Sequence, residues 1–247
     1  MKKINRILIV SFLSFLVSSC VVMEETRFND NGSVYYSLLV DASQMMEIFS
    51  ESNDSAKIDS QQKLDTIISF SELYDENIDE LSPDERKAFE RMKNFNLKMK
   101  TDNKTKQFSF QIYGDFADFN SLQNAITNVD SIQKLLPNTE GFDISTFNRT
   151  TMPFGKEKIE WNGKIFKKSI ALLPVTNDSL DEDVEGMMGL FTQGKYTSTY
   201  TFARKIKNVD NAAASISADG KTVTFTFDLQ EYSKNPEKSN VVIELEN

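Results

Sequence analysis

Three Asn-Gly or Asp-Gly steps, each next to stretches of alternating apolar and polar residues, constrain the fold of this chain more than any other feature. They are Asn31-Gly32, Asn162-Gly163 and Asp219-Gly220. Such pairs adopt the positive φ angles that a tight hairpin turn requires, so each predicts two neighbouring antiparallel strands. Several local hairpins in one chain indicate an antiparallel sheet.

The hydrophobic pattern predicts the remaining elements of an α+β fold. The predicted strands cover residues 21–28, 33–40, 64–70, 95–101, 107–116, 156–161, 164–170, 196–206, 213–217, 222–229 and 240–246. The predicted helices cover residues 41–49, 71–81, 83–94 and 119–136, with a further helix start at 178–185. We expect a mainly antiparallel β-sheet built from hairpins, with several amphipathic helices packed on one face.

Two of these helices have strong local support. Ser82, Pro83 and Glu85 form the capping-box pattern with proline at the first helical position. From 119 to 136, apolar residues recur at steps of three and four, which places them in one stripe. Residues 137–155 have the composition of a loop. We therefore expect residues 20–247 to form a single α+β domain, or two lobes divided near 137–155.

The one cysteine, Cys20, follows a segment typical of a bacterial lipoprotein signal peptide. This segment has three basic residues within its first six positions, an apolar run over 7–17 and two serines directly before the cysteine. The run is shorter than the roughly 20 residues of a membrane-spanning helix. The pattern predicts cleavage after residue 19 and lipidation of the Cys20 thiol. The alternatives are a simple secretory signal and an uncleaved apolar helix.

The charge balance bears on the partners of the mature chain. Cleavage removes three of 28 basic residues and none of 37 acidic ones, which leaves a net charge near −12. The basic residues are dispersed among acidic ones, so the sequence indicates no nucleic-acid partner. Anionic headgroups would also repel this surface. Membrane attachment is therefore assigned to the acyl chains on Cys20, at about 0.8 kcal/mol for each buried methylene.

The residues just after Cys20 bear on localisation in the envelope. Val21 is not the aspartate that retains lipoproteins at the inner membrane of enteric bacteria, so we predict the outer membrane, on its periplasmic or its surface face. Glu24-Glu25 resembles an acidic surface-export signal. The alternative is that these glutamates occupy the outward face of a strand.

The sequence contains no recognisable catalytic apparatus. Histidine is absent and Cys20 is assigned to lipidation, which removes the Ser-His and Cys-His systems and the usual zinc sites. No glycine-rich phosphate loop is present. We therefore expect a protein that is not an enzyme and that has no cofactor and no metal site.

Two polar clusters are candidate sites. The first is a run of acidic residues over 178–185, which could bind calcium or supply two hydrolase carboxylates. The alternative is that these acidic residues stabilise the first turn of a helix by complementing its dipole. The members of this run are Asp178, Asp181, Glu182, Asp183 and Glu185. The stretch Asn29–Ser33 is similar to a calcium loop, although it lacks the terminal glutamate and is interpreted as a hairpin turn. Asp-Ser steps at Ser55 and Ser179 resemble O-glycosylation sites.

The apolar composition fits either a core or a ligand pocket. The chain has 19 phenylalanines and nine methionines, including Met45-Met46 and Met187-Met188 on predicted helices. These flexible or large side chains suit an apolar ligand, and they suit an ordinary core equally well. The interpretation as core is favoured, because a domain of this length must bury many such residues.

The start of the mature chain resembles known lipoproteins. Cys20 is followed almost directly by the hairpin sequence Glu-Glu-Thr-Arg-Phe-Asn-Asp-Asn-Gly-Ser and then by an Asp-capped Met-Met helix. In this respect the chain is similar to a group of Bacteroidetes lipoproteins of unknown function, and more distantly to the LppM-type lipoprotein domain. The resemblance covers residues 20–49 most clearly. It implies a lipid-anchored domain for which lipid binding is expected.

Together these observations predict a non-enzymatic lipoprotein of the cell envelope that binds an apolar or lipid ligand in a cavity between sheet and helices. One alternative is an envelope scaffold or protein–protein interaction module, which would expose an apolar patch instead. A further alternative is a carboxylate-dependent glycan hydrolase, which would place two carboxylates in a cleft.

Overall fold

A computed structural model describes residues 21–43, 63–79, 81–127, 156–171 and 194–247. The first strands and helices are β1 (Val21–Phe28), β2 (Val34–Asp41), β3 (Lys63–Ser69), α1 (Phe70–Asn77), α2 (Pro83–Met92), β4 (Phe95–Asp102), β5 (Gln107–Phe116) and α3 (Phe119–Thr127). The remaining ones are β6 (Lys156–Trp161), β7 (Ile165–Ala171), β8 (Lys195–Phe202), β9 (Ile206–Val209), β10 (Ser215–Ile216), β11 (Thr222–Asp228), α4 (Leu229–Lys234), a 3₁₀ turn (Pro236–Ser239) and β12 (Val241–Leu245).

The described strands form two sheets. The large sheet has eight strands in the order β10-β11-β8-β1-β2-β5-β4-β3, and the small sheet has four in the order β6-β7-β12-β9. Every described pairing is antiparallel except that of β1 with β8, which is parallel over eight residues. The predicted α+β class with a mainly antiparallel sheet is therefore confirmed.

The local turn and cap predictions are also confirmed. Gly32, Gly163 and Gly220 have φ angles of 85°, 86° and 73°, in the left-handed region that a residue without a Cβ enters at no steric cost. At the start of α2, the Ser82 side chain accepts from the Glu85 backbone N–H while the Glu85 carboxylate accepts from the Ser82 N–H at 2.9 Å. These features depend on residues close in sequence, which is why the sequence indicates them directly.

One face of the large sheet is buried under two different covers. Helices α2 and α3 contribute Met92, Leu122 and Ala125 to an apolar cluster that also contains Phe95 of β4. The small sheet covers the other part of the same face, and Phe166 of β7 belongs to the same cluster. The prediction anticipated the helices on this face but not the second sheet.

Aromatic rings join the two sheets. Phe28 at the end of β1 stacks on Phe202 of β8 with ring centroids 5.1 Å apart. From the small sheet, Trp161 and Phe166 approach the Phe28 ring to 4.7 and 5.7 Å between centroids. Such contacts add about 0.5–1.5 kcal/mol each beyond the apolar area they bury.

Several predicted boundaries are wrong. Residues 196–206 were predicted as one strand, but the chain bends after Phe202, leaves the large sheet and enters the small one as β9. Helix α1 ends at Asn77 instead of 81, and β10 has only two residues. Helix α4 and the following 3₁₀ turn were not predicted, because residues 229–239 carry too short a pattern to show helical periodicity.

Other predictions concern residues outside the described ranges. They include the helix predicted at 41–49 beyond Ser43, the C-terminal part of the helix predicted at 119–136, the loop at 137–155 and the acidic helix start at 178–185. The division into two lobes near 137–155 therefore stays a prediction. Within the described ranges, no helix combines the length and the apolar character needed to cross a membrane.

Candidate functional site

The main charged group in the described core lies between the two sheets. We call it the Lys168 cluster; its members are Glu24 of β1, Glu157 of β6, Lys168 of β7 and Tyr196 of β8. The Lys168 Nζ lies 2.9 Å from Glu24 Oε2 and 2.5 Å from Glu157 Oε1. Lys168 Nζ also donates to the Tyr196 hydroxyl at 3.2 Å, and that hydroxyl donates to Glu24.

The strand periodicity places these side chains inside. In β1, every second residue from Val22 to Phe28 is buried, and Glu24 is one of them. In β7, Phe166, Lys168 and Ile170 lie at every second position and share the buried face toward the large sheet. The Lys168 and Glu24 side chains are only 2% and 6% exposed, whereas Glu157 is 27% exposed. The alternative interpretation of Glu24 as an outward residue is therefore wrong; Glu25 faces outward.

The buried lysine and tyrosines around this cluster hold their protons tightly. Burial disfavours the charged form of Lys168, but Glu157 and Glu24 outweigh burial and hold the pKa of the ammonium well above its usual value. Burial, reinforced by Glu24, raises the pKa of the Tyr196 phenol well above its usual range, and the pKa of the Tyr36 phenol is raised in the same way. None of these three groups titrates near neutral pH, where a general acid or base is most effective.

The cluster also does not meet the requirements of a glycan hydrolase. Both carboxylates contact one ammonium, so the two contacting oxygens are no farther apart than the roughly 5–5.5 Å between carboxyl groups in retaining glycosidases. However, Lys168 occupies the space between them, where the scissile bond would have to enter. The arrangement favours a structural ionic contact between sheets.

A second candidate site lies on the same face of the large sheet, next to Glu24. We call it the inner apolar patch; its members are Leu38 of β2 and Phe110 and Ile112 of β5. Leu38 pairs with Ile112 across the β2–β5 ladder and with Glu24 across the β1–β2 ladder. All three side chains are only partly buried.

Partial exposure is unusual at this position. Strands β2 and β5 lie in the middle of the large sheet, and their neighbours Val40, Leu97 and Met99 on the same face are 0–6% exposed. Leu38 and Phe110 pack against both apolar clusters of the core, so the patch lies at the junction between them. A partly exposed apolar surface at the junction of two packed clusters is a candidate binding surface for an apolar ligand.

Only one of the polar candidate sites predicted from the sequence, Asn29–Ser33, lies within the described residues. Asn29, Asn31 and Ser33 bond one another in the β1–β2 turn, with Ser33 Oγ donating to Asn31 Oδ1 at 2.7 Å, so this stretch is a turn. Cys20, Ser55, Ser179 and the acidic run at 178–185 lie outside the described ranges, as do Met45-Met46 and Met187-Met188. In the part that is described, no three His, Cys, Asp or Glu residues are grouped so as to hold a metal ion.

Neither candidate site was predicted from the sequence. Lys168 was overlooked because a lysine in a strand is usually placed on the solvent side. The available signal was its spacing: Lys168 lies two positions from both Phe166 and Ile170, which places all three side chains on the same, apolar face of the strand.

Comparisons with known proteins found one solved structure that is distantly similar to this chain. No family model matches the sequence, and no curated protein matches it. The resemblance to Bacteroidetes lipoproteins thus has no support from these comparisons. Among solved structures, the chain is similar to the NMR structure of the folded domain of the Mycobacterium tuberculosis LppM protein, with 9% identity, a TM-score of 0.42 and coverage of 92% of this chain and 89% of that chain. At this level the likeness transfers no function, and the proposals below rest on the residues of this chain.

The Lys168 cluster gives a prediction for stability. Replacing Lys168 by Met should lower the free energy of unfolding by about 3–5 kcal/mol, because it leaves Glu24 buried without its ammonium partner. Chemical denaturation followed by circular dichroism measures this change. The matched control is Lys167→Met, at the exposed neighbouring position.

The double variant Glu24→Gln/Lys168→Met separates charge from packing. It should recover part of the lost stability, because the uncompensated charge is removed along with the lysine. A Lys168→Met protein as stable as the Lys167→Met protein would contradict the assigned role.

Proposed function

We propose that this chain is a non-enzymatic lipoprotein of the cell envelope, anchored through Cys20, whose domain binds an apolar or lipid ligand on the inner apolar patch. The observation that carries the binding proposal is the partial exposure of Leu38, Phe110 and Ile112 in the middle of the sheet, beside the buried residues Val40, Leu97 and Met99. The anchoring proposal is supported by the signal-peptide pattern that ends at Cys20.

The position of β1 supports a short connection between anchor and domain. Strand β1 begins at Val21, the residue that follows Cys20. It lies between β2 and β8 and pairs with both over its full eight residues. A lipid on Cys20 would therefore be attached directly to an interior strand, with the domain close to the bilayer. Attachment to the outer membrane is part of the same proposal, on the basis of Val21.

The alternative of a protein-interaction scaffold has less support. The large apolar residues that are exposed in the described ranges are Met23, Ile67, Ile165 and Ile216. Ile67 is on β3 and Ile216 is on β10, at opposite edges of the large sheet, and three strands separate Met23 from Ile67. Single exposed apolar residues of this kind are normal on a protein surface and do not make a docking patch.

The anchor is tested by changing the cysteine. A Cys20→Ala chain expressed in a bacterial host should lose metabolic labelling with palmitate and should leave the membrane fraction after sonication. Ser19→Ala, which keeps a small residue before the cysteine, is the control and should remain labelled. Labelling and membrane association of the Cys20→Ala chain would contradict anchoring through this residue.

The ligand site is tested with a fluorescent fatty acid. The chain should bind cis-parinaric acid, and Ile112→Asn should weaken binding at least about tenfold, because a buried amide without a hydrogen-bond partner opposes an apolar ligand. Ile67→Asn is the matched control: the same exchange at a position that is 56% exposed on the edge strand β3. Absence of binding by the unchanged chain, or equal binding by both variants, would contradict the proposal.

A further inference from the structure

The Lys168 cluster places an unbalanced negative charge beside the inner apolar patch. Its two carboxylates, Glu24 and Glu157, share the single ammonium of Lys168, at 2.9 and 2.5 Å. In their ordinary ionised forms the three groups sum to one net negative charge. A buried charge without a counter-charge is costly, so this imbalance favours a positively charged group from outside the cluster.

The strand register places this charge at the border of the patch. Glu24 pairs directly with Leu38, and side chains opposed in this way have Cβ atoms about 4.5–5.5 Å apart. Tyr36 lies two positions from Leu38 on the same buried face of β2, and burial, Glu24 and Glu157 in that order raise the pKa of its phenol. Both carboxylates therefore lie close to this side of the patch. Glu157 is the one that a ligand can reach, since 27% of its side chain is exposed.

A buried hydroxyl at the cluster adds a second observation. The hydroxyl of Tyr200 has no hydrogen-bond partner in the described part of the chain, although this residue is only 1% exposed. The centre of its ring is 5.9 Å from Lys168 Nζ. The three N–H groups of that ammonium are accounted for by the two carboxylates and the Tyr196 hydroxyl. A buried hydroxyl without a partner costs free energy, so a further polar group is expected beside it.

These two observations select the chemistry of the polar end of a ligand. An alkyl ammonium group can donate to the Glu157 carboxylate and to the Tyr200 hydroxyl oxygen, and it would bring the total charge of the cluster to zero. A carboxylate or phosphate group would add to the negative charge and would be repelled. An uncharged hydroxyl group could bond the same atoms but would leave the charge unbalanced.

We propose that the inner apolar patch binds lipids whose polar end is a positively charged amine, and that Glu157 and Tyr200 hold this amine. The inference rests on the proposed function and adds to it a selection between polar ends. The apolar chain of the ligand would lie on the patch, with its ammonium group at the border formed by Glu24. Anionic lipids with the same chain would bind the same surface more weakly.

Displacement of cis-parinaric acid from the full chain tests this inference. The competitors are hexadecylamine, hexadecanol and palmitate, which have the same chain length and differ in the polar end. Near neutral pH, hexadecylamine should displace the probe at a concentration at least about tenfold lower than palmitate, with hexadecanol between them, because only the amine neutralises the cluster.

Two exchanges test the assigned contacts. Glu157→Gln should remove the preference, so that hexadecylamine and palmitate displace the probe at about equal concentrations. Glu160→Gln is the matched control, because it makes the same exchange on the exposed face of the same strand and should keep the preference. This control also separates the site from a general attraction of amines to an acidic protein.

Tyr200→Phe distinguishes ligand binding from a structural role. Removing a buried hydroxyl that has no partner should not lower the midpoint of chemical denaturation, but it should weaken displacement by hexadecylamine at least about fivefold. Circular dichroism establishes that each variant is folded.

The outcomes separate this inference from the proposed function. Absence of cis-parinaric acid binding would overturn both. If the probe binds but palmitate displaces it as well as hexadecylamine does, the patch binds apolar chains without selecting an amine, and this inference alone is wrong. It is equally wrong if folded Glu157→Gln protein keeps the preference or if hexadecylamine acts on Tyr200→Phe protein as it does on the unchanged chain.

Discussion

The contact of Lys168 with Glu24 and Glu157 governs how the two sheets are placed on each other. Moving an ammonium and a carboxylate out of water costs several kcal/mol per ion, and the attraction between them offsets this only with good geometry and further hydrogen bonds. Here the second carboxylate and the Tyr196 hydroxyl supply these further contacts. A displacement of the small sheet along β1 would leave charges buried without partners, so one alignment is strongly preferred. The aromatic rings around Phe28 would tolerate such a displacement more readily, because apolar contact is not directional.

Strand β1 contributes to the Lys168 cluster, to the aromatic contacts between the sheets and to the border of the inner apolar patch. Its inward residues supply Glu24 to the Lys168 cluster and Phe28 to the aromatic contacts between sheets, and Glu24 is next to Leu38 of the inner apolar patch. Its outward residues Glu25 and Arg27 form an ion pair with 3.1 Å between Arg27 Nε and Glu25 Oε1. Because it also follows Cys20 directly, the proposed anchor is attached to the strand that borders the proposed binding surface.

The sequence alone predicted those features whose structure depends on residues close together in the chain. The hairpin at Asn162-Gly163 and the capping box at Ser82 were predicted because a turn or a cap is determined within about four positions. The parallel pairing of β1 with β8 joins residues more than 170 positions apart, and nothing local indicates it. The break after Phe202 was missed for the same reason: both halves have strand character, and only their partners show that they belong to different sheets. The inner apolar patch likewise depends on the register between β2 and β5.

The central claim is that the Lys168 cluster joins the two sheets into one cooperative unit. Native-state hydrogen exchange measured by mass spectrometry on the full chain tests this directly, because it gives the opening free energy of each strand. The account predicts that amides of β7 and β1 exchange with the same free energy, equal to that of global unfolding, and that Lys168→Met lowers the value for β7 below that for β1. Exchange of β7 at a distinctly lower free energy than β1 in the unchanged protein would show that the small sheet opens independently, and would contradict the account.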